Sequence, residues 1–112
     1  MSMPIDGTPA SAASQAAVTQ PALPRLELGQ LVSTPGALKL LMEHGVSPIS
    51  LLAHHARGDW GQIPAEDARS NREALIHGFR VMSSYALPDG GVIWVITEAD
   101  RSATTCLLPS EY

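Results

Sequence analysis

The chain has 112 residues, 45% of them apolar, which is enough for one modest hydrophobic core. Its formal net charge of −4 argues against a main affinity for the nucleic-acid backbone, because such binding needs a basic face. The single cysteine, Cys106, excludes an internal disulfide and a thiolate zinc cluster. Apolar runs are shorter than the roughly 18 residues of a membrane helix, and the signal-peptide pattern is absent. We therefore predict a cytoplasmic protein with no membrane partner.

The first 24 residues differ in composition from the rest of the chain. Met1 to Pro24 is rich in Ala, Ser, Thr, Gln, Pro and Gly, carries one charge at Asp6, and shows no helical or strand periodicity. This composition predicts a disordered leader over 1–24. Residues 25–112 are predicted to form a single domain. They hold seven basic and ten acidic residues, a formal net charge of −3, so the acidity belongs to the predicted domain.

The first half of this domain predicts one weak strand and three helices. Leu26 to Val32 alternates between apolar and polar residues and slips at Gly29, which indicates a short strand or extended arm with a bulge. Each predicted helix opens at a proline and ends at a glycine, the residues that favour helix starts and stops. The helices open at Pro35, Pro48 and Pro64 and end at Gly45, Gly58 and Gly78.

Beyond the third helix the apolar period changes from near 3.6 to 2, which indicates strands. Arg80 to Leu87 alternates, Pro88 to Gly91 predicts a hairpin turn, and Ala103 to Leu108 predicts the last strand. The middle strand, Val92 to Thr97, is apolar on both faces and should lie inside a sheet that is covered on both sides. The sequence thus predicts an α+β fold: a short first strand, three helices and a three-stranded antiparallel meander.

Polar residues collect where the predicted strands end, and one set has the chemistry of a ribonuclease. Arg80, Tyr85, Glu98 and Arg101 lie on or beside adjacent strands. In metal-independent ribonucleases an arginine stabilises the phosphate and a glutamate moves a proton to or from the ribose 2′-hydroxyl. The alternative is that Arg80 and Arg101 pair with Glu98 and Asp100 and hold the strand ends together.

A second set of candidates surrounds the loop from Gly58 to Gly61, and we predict His55, Asp59, Trp60 and Asp100 as binding residues. The loop is either a structural turn in which Trp60 covers the core or a recognition loop in which Trp60 stacks on a partner. His55 and Asp59 offer a nitrogen and an oxygen to a metal, but the spacing fixes no third ligand. We therefore predict neither a metal nor a cofactor.

Several separated motifs resemble one known family. They are His55-Ala-Arg-Gly-Asp-Trp-Gly61; Glu66-Asp67 with Asn71; Gly78-Phe-Arg80 with Ser83 and Tyr85; and Trp94-Val-Ile-Thr-Glu-Ala-Asp-Arg101 with Thr104-Thr-Cys-Leu-Leu-Pro-Ser-Glu-Tyr112. Together they resemble a family of small proteins carried by bacterial plasmids and integrative elements and described as plasmid-related protein. The resemblance covers about Leu28 to Tyr112. One departure is His54, where the family pattern tends to have an arginine, so a role for a cation at that place is in doubt.

The predicted order of elements also resembles the RelE/ParE-type toxin fold, whose ribonuclease members work from the sheet face. That resemblance implies that Arg80, Tyr85, Glu98 and Arg101 would carry the reaction. The acidic composition argues against it, because ribosome-dependent nucleases of that kind are usually basic.

Two functions follow for a mobile-element accessory protein with a polar pocket between the Gly58 to Gly61 loop and the Glu98 to Arg101 turn. One is a RelE-like ribonuclease toxin acting on RNA. The other is a non-enzymatic acidic inhibitor of a host defence or regulatory protein, of the anti-restriction or anti-CRISPR type. A third hypothesis is a homodimer with Val92 to Thr97 or Trp60 in the interface.

Overall fold

The fold is taken from a computed structural model of the chain and is described for residues 25–112. The predicted disordered leader, 1–24, lies outside the described residues. The elements in chain order are β1 (Gln30–Ser33), α1 (Pro35–Glu43), α2 (Pro48–Ala56), α3 (Ala65–His77), β2 (Val81–Ala86), β3 (Val92–Thr97), β4 (Ala103–Leu107) and a short 3-10 helix (Pro109–Glu111). None of the three α-helices in 25–112 combines the length and apolar character needed to cross a bilayer.

The strands form one four-stranded sheet in the order β1-β4-β3-β2. β2, β3 and β4 pair antiparallel, whereas β1 runs parallel to β4, with Gln30 opposite Ala103 and Ser33 opposite Cys106. The α+β class is confirmed. The predicted three-stranded antiparallel sheet is corrected to a mixed sheet of four strands, because the first strand joins the far edge of the meander.

The first strand is shorter than its alternating pattern predicted. Gly29 has a φ of 65°, and a Cβ atom at this position would overlap the carbonyl groups of Arg101 and Ser102. Glycine is therefore required where the chain passes the β3–β4 turn. Regular pairing begins at Gln30, and Leu26 is buried in the core instead of extending the strand.

The helix starts agree with the sequence prediction because their capping groups are local. Thr34 Oγ1 accepts a hydrogen bond from the amide of Ala37 at 3.1 Å, and Ser47 Oγ accepts one from the amide of Ile49 at 3.2 Å. Such side-chain acceptors satisfy amides that have no partner inside the helix. Pro64 precedes α3 as its cap residue instead of opening it.

All three helices pack on one face of the sheet, which buries one alternate set of strand residues. Their own buried residues include Ala37 and Leu41 from α1, Leu51 and Leu52 from α2, and Ala74 from α3. The strand residues on this face are Val81, Ser83, Tyr85, Ile93, Val95, Thr97, Thr104 and Cys106, all of them buried. Burial raises the pKa of the Cys106 thiol to about 11, in keeping with an inert core residue.

β3 lies inside the sheet, as predicted, and none of its residues is exposed. Cover on the face opposite the helices is thinner, since Ile96 is buried but Val92 and Trp94 are half-buried, and Tyr112 packs on this side. We call this surface the open face. Its members include Val32, Met82, Ser84, Val92, Trp94, Ile96, Thr105 and Leu107, which share a side of the sheet by their cross-strand register.

The capping contact of α1 gives a first prediction. Thr34 Oγ1 also donates to Glu111 Oε1 at 2.6 Å and so joins the helix start to the C-terminal 3-10 helix. We expect Thr34→Ala to lower the free energy of unfolding by about 1–1.5 kcal/mol. Urea denaturation measures the change. Thr34→Ser keeps the oxygen and should recover most of the loss, and equal stability of the alanine variant and the natural chain would contradict the assignment.

Candidate functional site

His55 lies in the interface between α2 and the sheet and is fully buried. Its Nδ1 atom is 2.5 Å from Ser83 Oγ on β2, and its Nε2 atom is 2.9 Å from Thr97 Oγ1 on β3. Burial disfavours the charged ring and, with the nearby positive charge of Arg101, lowers the pKa of His55 to about 4. The imidazole is therefore neutral at physiological pH.

The hydrogen bonds around His55 run in one direction. Thr104 Oγ1 donates its proton to the carbonyl oxygen of Leu28 at 2.8 Å, so at the 2.7 Å contact between the two threonines Thr97 must be the donor. Thr97 Oγ1 then accepts from Nε2–H of His55, which leaves Nδ1 as the acceptor for the Ser83 hydroxyl. Every polar side-chain group in this series of hydrogen bonds has a partner when the ring is the neutral Nε2–H tautomer.

This buried series of hydrogen bonds joins α2 to the sheet and is not accessible to ligands. His55, Ser83, Thr97 and Thr104 are all buried, so neither a substrate nor a partner reaches them in this fold. Although serine beside histidine is a nucleophile–base pair in some enzymes, here the serine donates to the ring within the core. His55 was predicted as a binding residue, and the structure places it in the interior.

Two predicted catalytic residues, Tyr85 within β2 and Arg80 directly before it, lie on opposite sides of the sheet. The Tyr85 ring is buried under the helices, and its hydroxyl donates to the carbonyl oxygen of Asp59 at 2.6 Å. Burial raises the pKa of Tyr85 to about 12, so the hydroxyl keeps its proton. Arg80 is exposed on the other side, where its guanidinium donates to the hydroxyl of Tyr112. The two side chains therefore do not form one site.

Arg101 organises the β3–β4 turn. Its guanidinium donates to the carbonyl oxygens of Phe79 at 2.7 Å, Glu98 at 3.0 Å and Ala74 at 3.0 Å, with a longer contact of 3.4 Å to Ala99. These contacts tie the C-terminal end of α3 to the turn. The predicted ion pair with Glu98 or Asp100 is corrected, because the hydrogen bonds of Arg101 go to backbone carbonyl oxygens and not to either carboxylate.

The two acidic residues of this turn are exposed and have no part in a shared pocket. Asp100 Oδ1 accepts from the amide of Ser102 at 2.9 Å, and hydrogen bonds from the Ser102 hydroxyl and amide lower the pKa of Asp100. The Glu98 side chain is exposed where β3 ends. Within residues 25–112, no salt bridge joins either carboxylate to an arginine.

The Gly58 to Gly61 loop is a structural turn. Trp60 is 8% exposed and packs with Val81 and Ala74, so the ring covers the core. The Asp59 carboxylate pairs with His54 and not with His55. The Nδ1 atom of His54 lies 2.9 Å from Asp59 Oδ2. Over the described part of the chain, no group of three or more His, Cys, Asp or Glu residues converges as a metal site would require.

The pocket predicted between this loop and the β3–β4 turn is not formed. The loop pairs with β2 through Gly61 and Ser84, whose register partner on β3 is Trp94. The turn begins after Thr97, the last residue of β3, and packs against the end of α3 through Arg101. The loop instead meets the middle of β2, and no salt bridge joins the loop to the turn within residues 25–112.

The structure does bring together a different group on the open face. The rings of Trp94 and Tyr112 meet edge to face, with 5.7 Å between their centroids and an interplanar angle of 71°. The Cζ atom of Arg80 lies 5.5 Å from the centroid of the Tyr112 ring. We call Trp94, Tyr112 and Arg80 the aromatic cluster. It is accessible, since Tyr112 is 67% exposed and Trp94 is half-buried.

A groove adjoins this cluster along the edge of the sheet. It has a volume of about 230 Å³ and runs between α3 and β2. Its lining residues are Ile63, Asp67, Ser70, Asn71, Arg80 and Met82. Because Arg80 belongs to both features, the aromatic cluster and the groove form one continuous accessible surface with apolar, aromatic and charged groups.

Neither Trp94 nor Tyr112 was among the predicted site residues, although the homodimer hypothesis placed the strand that contains Trp94 in an interface. The period of two along β2 could have indicated Trp94. It places Met82 and Ser84 on the same side as Arg80, and Ser84 pairs with Trp94, so Trp94 lies on that side too. No comparable local signal exists for Tyr112, because its position depends on the chain turning back after β4.

Comparison with known proteins adds no relative: no family model, curated protein or solved structure matches the chain.

Proposed function

We propose that the protein acts by binding another protein through the open face of its sheet. The observation that carries the proposal is the aromatic cluster of Trp94, Tyr112 and Arg80. Tryptophan, tyrosine and arginine are the residues that most often dominate the energy of protein interfaces. Here they are contiguous on a partly apolar surface, with Tyr112 exposed and Trp94 half-buried.

The placement of the predicted catalytic residues favours binding over RNA cleavage. The hydroxyl of Tyr85 and the guanidinium of Arg101 donate to backbone carbonyls, and His55 is buried in a neutral state. A ribonuclease needs an accessible acid or base beside a phosphate-binding cation. Of the predicted catalytic set, Arg80 and Glu98 are the two whose side chains remain exposed, one cation and one carboxylate.

Charge narrows the class of partner to a protein with a basic surface. Residues 25–112 have a formal net charge of −3, and Asp67 lines the groove next to Arg80. An acidic surface steers a basic partner and repels the nucleic-acid backbone. The resemblance to plasmid-borne proteins supports the same direction, because an accessory protein of a mobile element that mimics nucleic-acid charge occupies a host defence or regulatory protein.

The test compares the full-length chain with single substitutions in the aromatic cluster. The immobilised chain is exposed to a bacterial lysate, and any protein that it retains is purified and titrated against each variant. We expect Trp94→Ala and Tyr112→Ala each to weaken the measured affinity by roughly 30-fold. Tyr112 is 67% exposed, so the loss of its ring should leave folding intact.

Ile76→Ala is the matched control, because Ile76 is a large apolar side chain that is 59% exposed on α3 and outside the open face. This control should bind as the natural chain does. Equal affinity of the cluster variants and the natural chain would reject the open face as the binding site.

A separate experiment tests the ribonuclease hypothesis. Induction of the full chain in a bacterial host should leave total RNA intact on a gel, both for the natural sequence and for Glu98→Gln. Fragmentation that Glu98→Gln abolishes would overturn the binding proposal in favour of an RNA-cleaving site on the sheet.

A further inference from the structure

The two edges of the sheet are treated differently by the fold. At the β2 edge, the Asn71 side chain donates to the carbonyl oxygen of Met82 at 2.7 Å and accepts from its amide at 3.1 Å. The same edge is closed at Ser84, whose amide donates to Trp60 and whose carbonyl accepts from Gln62. At the other edge, within residues 25–112, β1 pairs with β4 on one side and with no strand on the other, and Gln30, Leu31 and Val32 are exposed.

The parallel ladder determines which backbone groups of β1 face outward. Gln30 and Thr34 donate their amides to β4, at the carbonyl oxygens of Ser102 and Cys106. Backbone groups alternate in direction along a strand, so the N–H and C=O groups of Leu31 and Ser33 point away from the sheet. This edge contains no charge and no proline, which are the usual means of preventing edge pairing.

We propose that β1 pairs antiparallel with β1 of a second copy, about a two-fold axis at Val32. In this register Leu31 lies opposite Ser33 of the second copy, and their outward N–H and C=O groups form four hydrogen bonds across the interface. A register centred on Leu31 is less favourable because it needs Gly29, whose φ of 65° takes it out of extended geometry. The strand is thus complementary to itself in one defined register.

Charge and side chains also favour a second copy as the occupant. The paired residues Gln30 to Ser33 are uncharged, so two copies of an acidic chain meet there without like charges opposite each other. Val32, which is 39% exposed, meets Val32 of the second copy on the axis, and β-branched side chains pack well across strands. The Leu31 side chain, which is 49% exposed, lies on the helix-covered side of the sheet. In the dimer it would be covered there by Ser33 of the second copy.

The pairing joins two four-stranded sheets into one sheet of eight strands. The two-fold axis of an antiparallel pair is perpendicular to the sheet, so the open faces of both copies lie on the same side. The dimer would therefore present two aromatic clusters in one direction. This inference is independent of the proposed function, because the interface uses β1 and leaves Trp94, Tyr112 and Arg80 uncovered.

The first test is the mass of the full chain by sedimentation equilibrium at concentrations from micromolar to hundreds of micromolar. We expect a dimer at the upper concentrations, with amide exchange at Leu31 and Ser33 that slows as the dimer forms. A chain that is monomeric throughout overturns the proposal. Monomers in which these two amides are nevertheless protected would also overturn it and assign the edge to another segment of the chain.

Two substitutions of Leu31 separate backbone pairing from side-chain contact. Leu31→Pro removes an amide that points away from β4, so the ladder within the chain is kept, whereas two of the four intermolecular hydrogen bonds are lost. We expect this variant to raise the dimer dissociation constant by at least about tenfold, and Leu31→Ala to raise it much less. Circular dichroism checks that both variants are folded. Equal dimerisation of the proline and alanine variants contradicts pairing through β1.

A charge exchange at the axis tests the register. Val32→Glu and Val32→Lys each place like charges opposite each other and should be monomeric when alone. Mixed in equal amounts, they should form a heterodimer, because each two-fold contact then joins opposite charges. Failure of the mixture to associate, or dimerisation of each variant alone, rejects the register centred on Val32.

Discussion

The free energy of unfolding should fall by about 3 kcal/mol as the pH is lowered from 7 to 4, because of His55 alone. The pKa of His55 is about 4 in the folded protein, against 6.5 for an ordinary histidine. Between these values the unfolded chain binds more protons than the folded chain, so acid favours unfolding. The stabilising contribution of the neutral ring is fully present above pH 6.5 and is lost as the pH falls toward 4.

Urea denaturation at intervals between pH 7 and 4.5 measures this dependence, with a limiting slope of about 1.4 kcal/mol per pH unit. Hydrogen bonds lower the pKa of the carboxyl groups of Asp100 and Glu111, so these groups also lose stability on the acid side. They are the same in His55→Gln, so the difference between the two profiles reports His55. His55→Gln is the control, because it cannot titrate. It should be less stable at pH 7 and should have a flatter profile than the natural chain.

Nuclear magnetic resonance provides an independent measurement of the same group. The ring signals of His55 should titrate with a midpoint near pH 4 in the folded protein, and its nitrogen shifts at pH 7 should be those of the Nε2–H tautomer. A midpoint near 6.5, together with equal slopes for His55→Gln and the natural chain, would contradict the buried neutral ring.

The helices could be predicted because their signals are short-range. Thr34-Pro35 and Ser47-Pro48 each provide a capping oxygen and a preformed first turn within two residues. The αL residue Gly78 likewise ends α3 by its own backbone preference. Such signals act before any tertiary contact forms, so the sequence alone contains them.

The place of β1 in the sheet could not be predicted in the same way. Gln30–Ser33 pairs with Ala103–Cys106, more than seventy positions along the chain, through backbone groups that any residue carries. The four residues give no strong preference for a neighbour or for its direction. The constraint comes from Gly29, which must pass close to Arg101 and Ser102, and this contact is visible only in the fold.

The sequence predicts on which side of the sheet some candidate residues lie, but not which side chains contact each other. Alternation along β2 already places Arg80 and Tyr85 on opposite faces, because their positions differ by an odd number. The chain from Ser83 through His55 to Thr97 joins residues that are 28 and 42 positions apart, and no local spacing marks it. A histidine within an apolar helix pattern is compatible with either a core or a site until its partners are known.

Arg101→Ala should be the most destabilising substitution in the β3–β4 turn, with a loss of about 3 kcal/mol in the free energy of unfolding. The guanidinium donates to the carbonyl oxygens of Ala74, Phe79 and Glu98, and alanine removes these charged hydrogen bonds. The Ala74 and Glu98 oxygens keep backbone amide donors, so the Phe79 oxygen is the one that loses its partner. Arg101→Lys should recover only part of the loss, because an ammonium cannot reproduce the planar fork of donors.

Two further variants separate the guanidinium from the backbone strain at this position. Arg101 has a φ of 63°, so Arg101→Gly loses the same hydrogen bonds but relieves the left-handed conformation and should be about 1 kcal/mol more stable than Arg101→Ala. Arg72→Ala, an exposed arginine on α3, should change stability by less than about 0.5 kcal/mol. If Arg101→Ala were as stable as the natural chain, the guanidinium would not be held by these carbonyls and would be available to a phosphate. Arg101 would then again be a candidate phosphate-binding residue for RNA cleavage.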